Sequence, residues 1–171
     1  MKKQIYFDLD GILRDLHTGV TGTSPYKIYN WEWTNDDGMG FLDVVNNDLS
    51  LLLTAKPTKF FKAIMECTEN LVILSHQAKE WRSNTTQWIY NNICIPYDKR
   101  VNIIYVDSPK EKLNFVENKH TILIDDYPFF ERYTHVFLVC YPYNKHVKTC
   151  LGKIKTKQDM YNIINKFNKG D

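Results

Sequence analysis

The feature that most narrows the folds open to this chain is a set of short apolar runs that do not alternate. IYF at residues 5–7, LVIL at 71–74, VNIIYV at 101–106, TILI at 121–124 and VFLVC at 136–140 are apolar on nearly every position. A strand with one wet face carries an apolar residue at every second position, whereas a strand covered on both faces is apolar throughout. The runs have the length of strands and fall short of helices.

Segments of helical period lie between them. Pro57 can open a helix with Phe60, Phe61, Ile64 and Met65 on one face. Residues 78–91 place Trp81, Thr85, Trp88 and Ile89 on one side, and a short helix is expected near 109–117. Thr156 and Asp159 form a capping box ahead of Met160, Ile163, Ile164 and Phe167. Strand–helix alternation of this kind implies an α/β fold, a doubly wound, Rossmann-like parallel sheet with helices on both faces.

The alternation breaks after Leu13. TGVTGTSPYKIYNWEWTNDDGMGF mixes glycine, proline, asparagine and aromatics with no sustained period. A loop that long is uncommon in a compact domain unless it serves a purpose. The chain therefore divides into a core of residues 1–13 and 56–171 and a small helical cap, residues 14–55, inserted after the first strand. Trp31, Trp33 and Phe41 form the cap's own small core or a stacking wall for a nucleobase.

Composition excludes several classes. Twenty-two basic against 20 acidic residues give no electrostatic footprint for a long nucleic acid. No apolar stretch approaches the roughly 20 residues that span a bilayer, and Asp8 interrupts the first apolar run too early for a signal peptide. Cys67, Cys94, Cys140 and Cys150 have no C-x-x-C spacing and read as free thiols in a reducing cytoplasm. His17, His120, His135 and His146 show no ligand spacing and read as surface or packing residues. Oligomeric state, monomer or homodimer, is not written in the sequence.

In open α/β sheets ligands bind beyond the carboxyl ends of the strands. Three strands end in polar residues of a definite kind: Asp8 and Asp10 after the first, Ser75 after LVIL, and Asp125 and Asp126 after TILI. Lys110 and Lys112 follow the 101–106 strand and can reach the same rim. Carboxylates crowded there repel by about 4 kcal/mol per pair at about 4 Å and an effective dielectric near 20. A hard divalent cation answers that repulsion, and Mg2+ suits an all-oxygen set and brings phosphate oxygens with it. Two carboxylates at i and i+2 can divide labour, one attacking and binding metal, the other carrying a proton. Gly11 lets the chain turn and bring N–H groups to a phosphate. Ser75 and a lysine would supply donors to a transferring phosphoryl group.

These residues resemble a known family. FDLDGIL resembles the first motif (D-x-D-G) of the haloacid dehalogenase (HAD) superfamily, ILSH its second and ILIDDYP its fourth, and a lysine of SPKEKLNF falls where its third belongs. The cap position, the size and the LIDD ending look most like 5′(3′)-deoxyribonucleotidase-like members. The resemblance implies a Mg2+-dependent phosphomonoester hydrolase, a 5′-nucleotidase on nucleoside monophosphates, working through an aspartyl-phosphate. Asp8 would be the nucleophile and a metal ligand. Asp10 would protonate the leaving group, then activate water, while its backbone carbonyl binds the metal. Asp126 would be the main acidic metal ligand, with Asp125 beside it. Ser75, His76 and Lys112 would hold the substrate, Lys112 being preferred to Lys110 because KLNF matches a K-x-x-aromatic pattern. Ile12 stands where threonine is common, and His76 where many nucleotidases have another residue. Two other readings keep part of this chemistry: a phosphatase for nucleic-acid 3′ ends or sugar phosphates, and a Mg2+-binding phospho-signalling module of receiver type.

Overall fold

The computed structural model describes residues 3–169. Its strands are β1 (Gln4–Phe7), β2 (Arg14–Asp15), β3 (Lys56–Pro57), β4 (Asn70–His76), β5 (Arg100–Val106), β6 (Thr121–Asp125), β7 (Val136–Val139) and β8 (Gly152–Ile154). Six of them form one sheet in the order β5-β4-β1-β6-β7-β8, and every pairing is parallel. The chain steps outward from β1 to β4 and β5, then returns to the other side of β1 for β6, β7 and β8. That reversal opens a crevice beside the carboxyl end of β1, the usual place for a ligand in such sheets.

Why the runs are apolar throughout is plain from the two cores. Alternate side chains leave opposite faces of a strand. Ile5, Phe7, Leu71, Ile73, Ile122 and Ile124 enter one core, and Leu74, Leu123, Val136 and Leu138 enter the other. The helices are α1 (Leu16–Thr21), α2 (Phe41–Asn47), α3 (Leu51–Thr54), α4 (Phe61–Cys67), α5 (Arg82–Ile89), α6 (Ile95–Tyr97) and α7 (Lys157–Lys169). The first core is roofed by α4, α5 and α7, through Ile64, Trp88 and Met160 among others. The second is covered by a 3-10 helix, Pro109–Phe115, and by loops carrying Phe130, Tyr133 and Val147. The helix expected near 109–117 is thus a tighter one, because PKEKLNF offers no apolar stripe of α period.

Two further differences have local causes. A π-helical turn over Tyr90–Cys94 carries α5 on into α6, well past residue 91. The short edge strand β8, sequence GKI, has no apolar run to announce it. At α7 the expected capping box forms: Asp159 Oδ2 accepts from the Thr156 N–H at 2.9 Å, and Thr156 Oγ1 accepts from the Asp159 N–H at 3.1 Å.

The insertion leaves and rejoins the core through an antiparallel ribbon of β2 and β3. Its short helices share a separate apolar cluster of Leu16, Val45, Leu52 and Ala55, closed by Trp81 from the core. Phe41 packs on that cluster, whereas Trp31 packs against the main core. Among the described residues no helix is long and apolar enough to cross a membrane.

Candidate active site

β1 ends at Phe7, opposite Ile124 of β6. The ladder runs one step further, for the Asp8 N–H donates to the Ile124 carbonyl at 2.9 Å. Asp8 therefore stands beside Asp125. By strand alternation Asp8 shares a face with Tyr6, and Asp125 with Leu123. The 3-10 helix Pro109–Phe115 packs on that face and delivers Lys112, whose Nζ lies 2.8 Å from Asp8 Oδ1 and 2.8 Å from Asp125 Oδ2. Lys112 is only 2% exposed. Lys110 points out to solvent and pairs with Glu131. Of the adjacent lysines, Lys112 is the one in the site.

Asp126 completes the cluster: ligand oxygens of Asp8, Asp125 and Asp126 lie within 4.8 Å of one another, and all three residues are buried. One ammonium does not balance three carboxylates. Burial, opposed by Lys112 and helped by nearby Asp125, pushes the Asp8 carboxyl up to about 7. Burial and the neighbouring Asp125 likewise hold Asp126 well above the ordinary range. Burial alone would lower Lys112, but Asp125 and Asp8 outweigh it and raise the ammonium above its usual value. The cluster must either bind protons or gather more positive charge.

The residues fit a hard divalent cation. Among the described residues, every ligand atom of the cluster is a carboxylate oxygen. Gly11 holds φ +84°, and a methyl group built there would collide with Asp126 Oδ2, so the backbone closes on the acids as only glycine allows. Ser75, at the end of β4, buries a hydroxyl that has no hydrogen-bond partner. Among the described residues, Asp8 Oδ2 accepts no hydrogen bond, while Oδ1 takes those of Lys112 and the Leu9 N–H.

Asp10 does not join Asp8, Asp125 and Asp126 as a fourth clustered carboxylate. Both of its oxygens accept from Arg14, at 2.7 Å from Nε and 2.9 Å from Nη2. Gln77 Nε2 adds a third donor at 2.8 Å. The physical reason is the tight turn after Leu9, in which the Gly11 N–H donates to the Arg14 carbonyl and brings Arg14 back beside Asp10. Arg14 is wholly buried and also donates to the Leu52 carbonyl in the cap and to Thr85 Oγ1. His76 is exposed, and the hydrogen bond that reaches the site from this segment comes from Gln77 instead.

Several members of the site were not foreseen. Tyr143 Oη donates to Asp126 Oδ2, Asn144 Nδ2 to the Asp126 carbonyl, and Tyr141 Oη to the Gly11 carbonyl. The signal available was the rim itself: YPYN follows β7 as DD follows β6. His17, read as a surface or packing residue, is a packing one: it is buried among Trp31, Phe41, Tyr141 and Tyr143, the last of which is bonded to Asp126. The chain matches no protein-family model and no curated protein.

Proposed function

We propose that this protein is a magnesium-dependent phosphomonoester hydrolase that forms an aspartyl-phosphate on Asp8 and acts on nucleoside monophosphates. The observation that carries the reading is Lys112 Nζ bridging Asp8 and Asp125 inside a buried three-carboxylate cluster at the crevice beside β1. A purely structural use of such a cluster would be costly, since buried like charges need compensation from outside. The four motifs that resemble the HAD superfamily point the same way.

Asp8 Oδ1 is committed to Lys112 and Leu9, so Oδ2 is the attacking atom. Attack forms the Oδ2–P bond and breaks the ester P–O bond. Water then cleaves the aspartyl-phosphate and releases inorganic phosphate. Lys112 and the free Ser75 hydroxyl hold the phosphoryl oxygens, where negative charge spreads in the transition state. Asp10, oriented by Arg14 and Gln77, is the acid–base group of this reading: it enters the cycle protonated, gives that proton to the departing alkoxide and regains one from the attacking water, so that no net proton is consumed on it. A magnesium ion held by Asp8, Asp125 and Asp126 would neutralise their mutual repulsion and draw charge from the phosphoryl group. Aromatic rings at the cap side support a nucleoside as the organic part, and four free thiols fit a cytoplasmic protein.

The test is hydrolysis of p-nitrophenyl phosphate and a panel of nucleotides and sugar phosphates. Turnover should need Mg2+, stop with EDTA, and vanish in Asp8→Asn with the fold retained. Undiminished turnover by Asp8→Asn removes the nucleophile and the mechanism with it.

A further inference from the structure

Among the described residues, two buried side-chain polar atoms lack a hydrogen-bond partner: Ser75 Oγ and His17 Nδ1. Such groups are rare in folded proteins, because leaving one unmet forfeits its hydration with no return. Ser75 is the penultimate residue of β4, the strand on one side of β1, where the proposed reading puts the phosphoryl group. His17 lies on the other side, one ring beyond the acids. Its imidazole stacks on Tyr143 at 5.7 Å between centroids with planes 19° apart, and Tyr143 Oη is bonded to Asp126. Phe41 and Trp31 flank it at 5.4 Å and 6.2 Å. The residue is 9% exposed.

The phosphoryl end of a substrate is already provided for by Lys112 and Ser75. What remains on the His17 side is the leaving group. We propose that His17 is a specificity-determining residue, whose Nδ1 hydrogen-bonds a polar atom of the nucleoside part of the substrate. This rests on the reading of Asp8 as the phosphoryl acceptor. Burial pushes the imidazole below its ordinary value despite nearby Asp10 and Asp15, so at neutral pH the ring is uncharged. A neutral imidazole beside aromatic faces suits an uncharged partner, a base edge or a sugar hydroxyl, rather than a second phosphate.

The test compares wild type, His17→Phe and His17→Asn on four substrates: a purine and a pyrimidine deoxynucleoside monophosphate, deoxyribose 5-phosphate and phenyl phosphate. Phenylalanine keeps the ring and deletes the nitrogen, while asparagine keeps a polar atom near the Nδ1 position. In His17→Phe the ratio of kcat/KM for the nucleotides to that for phenyl phosphate should fall at least tenfold, through KM, and His17→Asn should restore most of it. If deoxyribose phosphate falls with the nucleotides, the contact is to the sugar; if it follows phenyl phosphate, the contact is to the base. Because an unmet polar atom is removed, His17→Phe should melt no lower than wild type. Equal losses on all four substrates, or none, overturn the proposal. Calorimetric binding of the same nucleotides to Asp8→Asn, with and without His17→Phe, separates the two readings. No turnover by wild type with His17-dependent binding sinks the hydrolase alone, whereas binding indifferent to His17 sinks this inference alone.

Discussion

The metal-free protein should lose stability as pH rises through the range in which carboxylates elsewhere have finished titrating. Asp8 moves from an ordinary 3.8 to about 7 on folding, chiefly because burial disfavours its anion. A carboxyl group raised in this way binds more protons in the folded than in the unfolded state. Its stabilisation is therefore complete below about pH 4 and gone above about pH 7, the reverse of a salt-bridged surface aspartate. Over about three pH units, at about 1.36 kcal/mol each, the loss is about 4 kcal/mol. For a chain of this size that is a fall in Tm of roughly 8–16 °C. Asp126, also pushed upward, acts in the same direction. Lys112 does not enter this window: its raised value loses stabilisation only above the ordinary lysine range. The assay is thermal unfolding in EDTA from pH 4.5 to 8, on wild type and Asp8→Asn. The two curves should converge towards pH 4.5 and separate steadily up to about pH 7, the asparagine variant being the more stable at pH 8. Millimolar Mg2+ should raise the wild-type Tm at pH 8 far more than at pH 5, where protons occupy the oxygens. Parallel curves for the two proteins across the whole range would refute the reasoning.

Other substitutions test neighbouring contacts. Lys112→Met strips Asp8 and Asp125 of their shared cation and should cost about 3–5 kcal/mol at neutral pH by urea unfolding, less at pH 5; Lys110→Ala, altering a surface pair, should leave the midpoint unchanged. Gly11→Ala faces both a positive φ and the Asp126 carboxylate, so calorimetric Mg2+ affinity should fall at least tenfold and stability by more than about 1 kcal/mol. Arg14→Leu removes a buried ion pair and the bond to the Leu52 carbonyl. It should cost about 3–5 kcal/mol and expose residues 14–55 to limited proteolysis faster than the core.

Much of the frame is legible in local pattern. Non-alternating runs demand a sheet covered on both faces, and polar residues just after them mark one rim; Asp8, Ser75, Asp125 and Asp126 all follow from that rule, as does the insertion after the first strand. Period and propensity act over a few residues, so they place strands and helices. They are silent on edge elements too short to show a period, which is why GKI at β8 passes unseen.

Contacts between distant segments follow another logic. Lys112 enters the cluster rather than Lys110 because a 3-10 turn, not an α-helix, sets which side chain faces β1 and β6. Asp10 turns to Arg14 because of a tight loop, and Gln77 joins it from 67 residues away. Tyr141 reaches the Gly11 carbonyl across 130 residues, and Tyr143 braces Asp126 from the same loop. The chain's own periodicity dictates the layers and the rim. Which side chains meet inside that rim depends on register, loop path and the seating of the insertion, and those are settled only when separate hydrophobic faces close on one another.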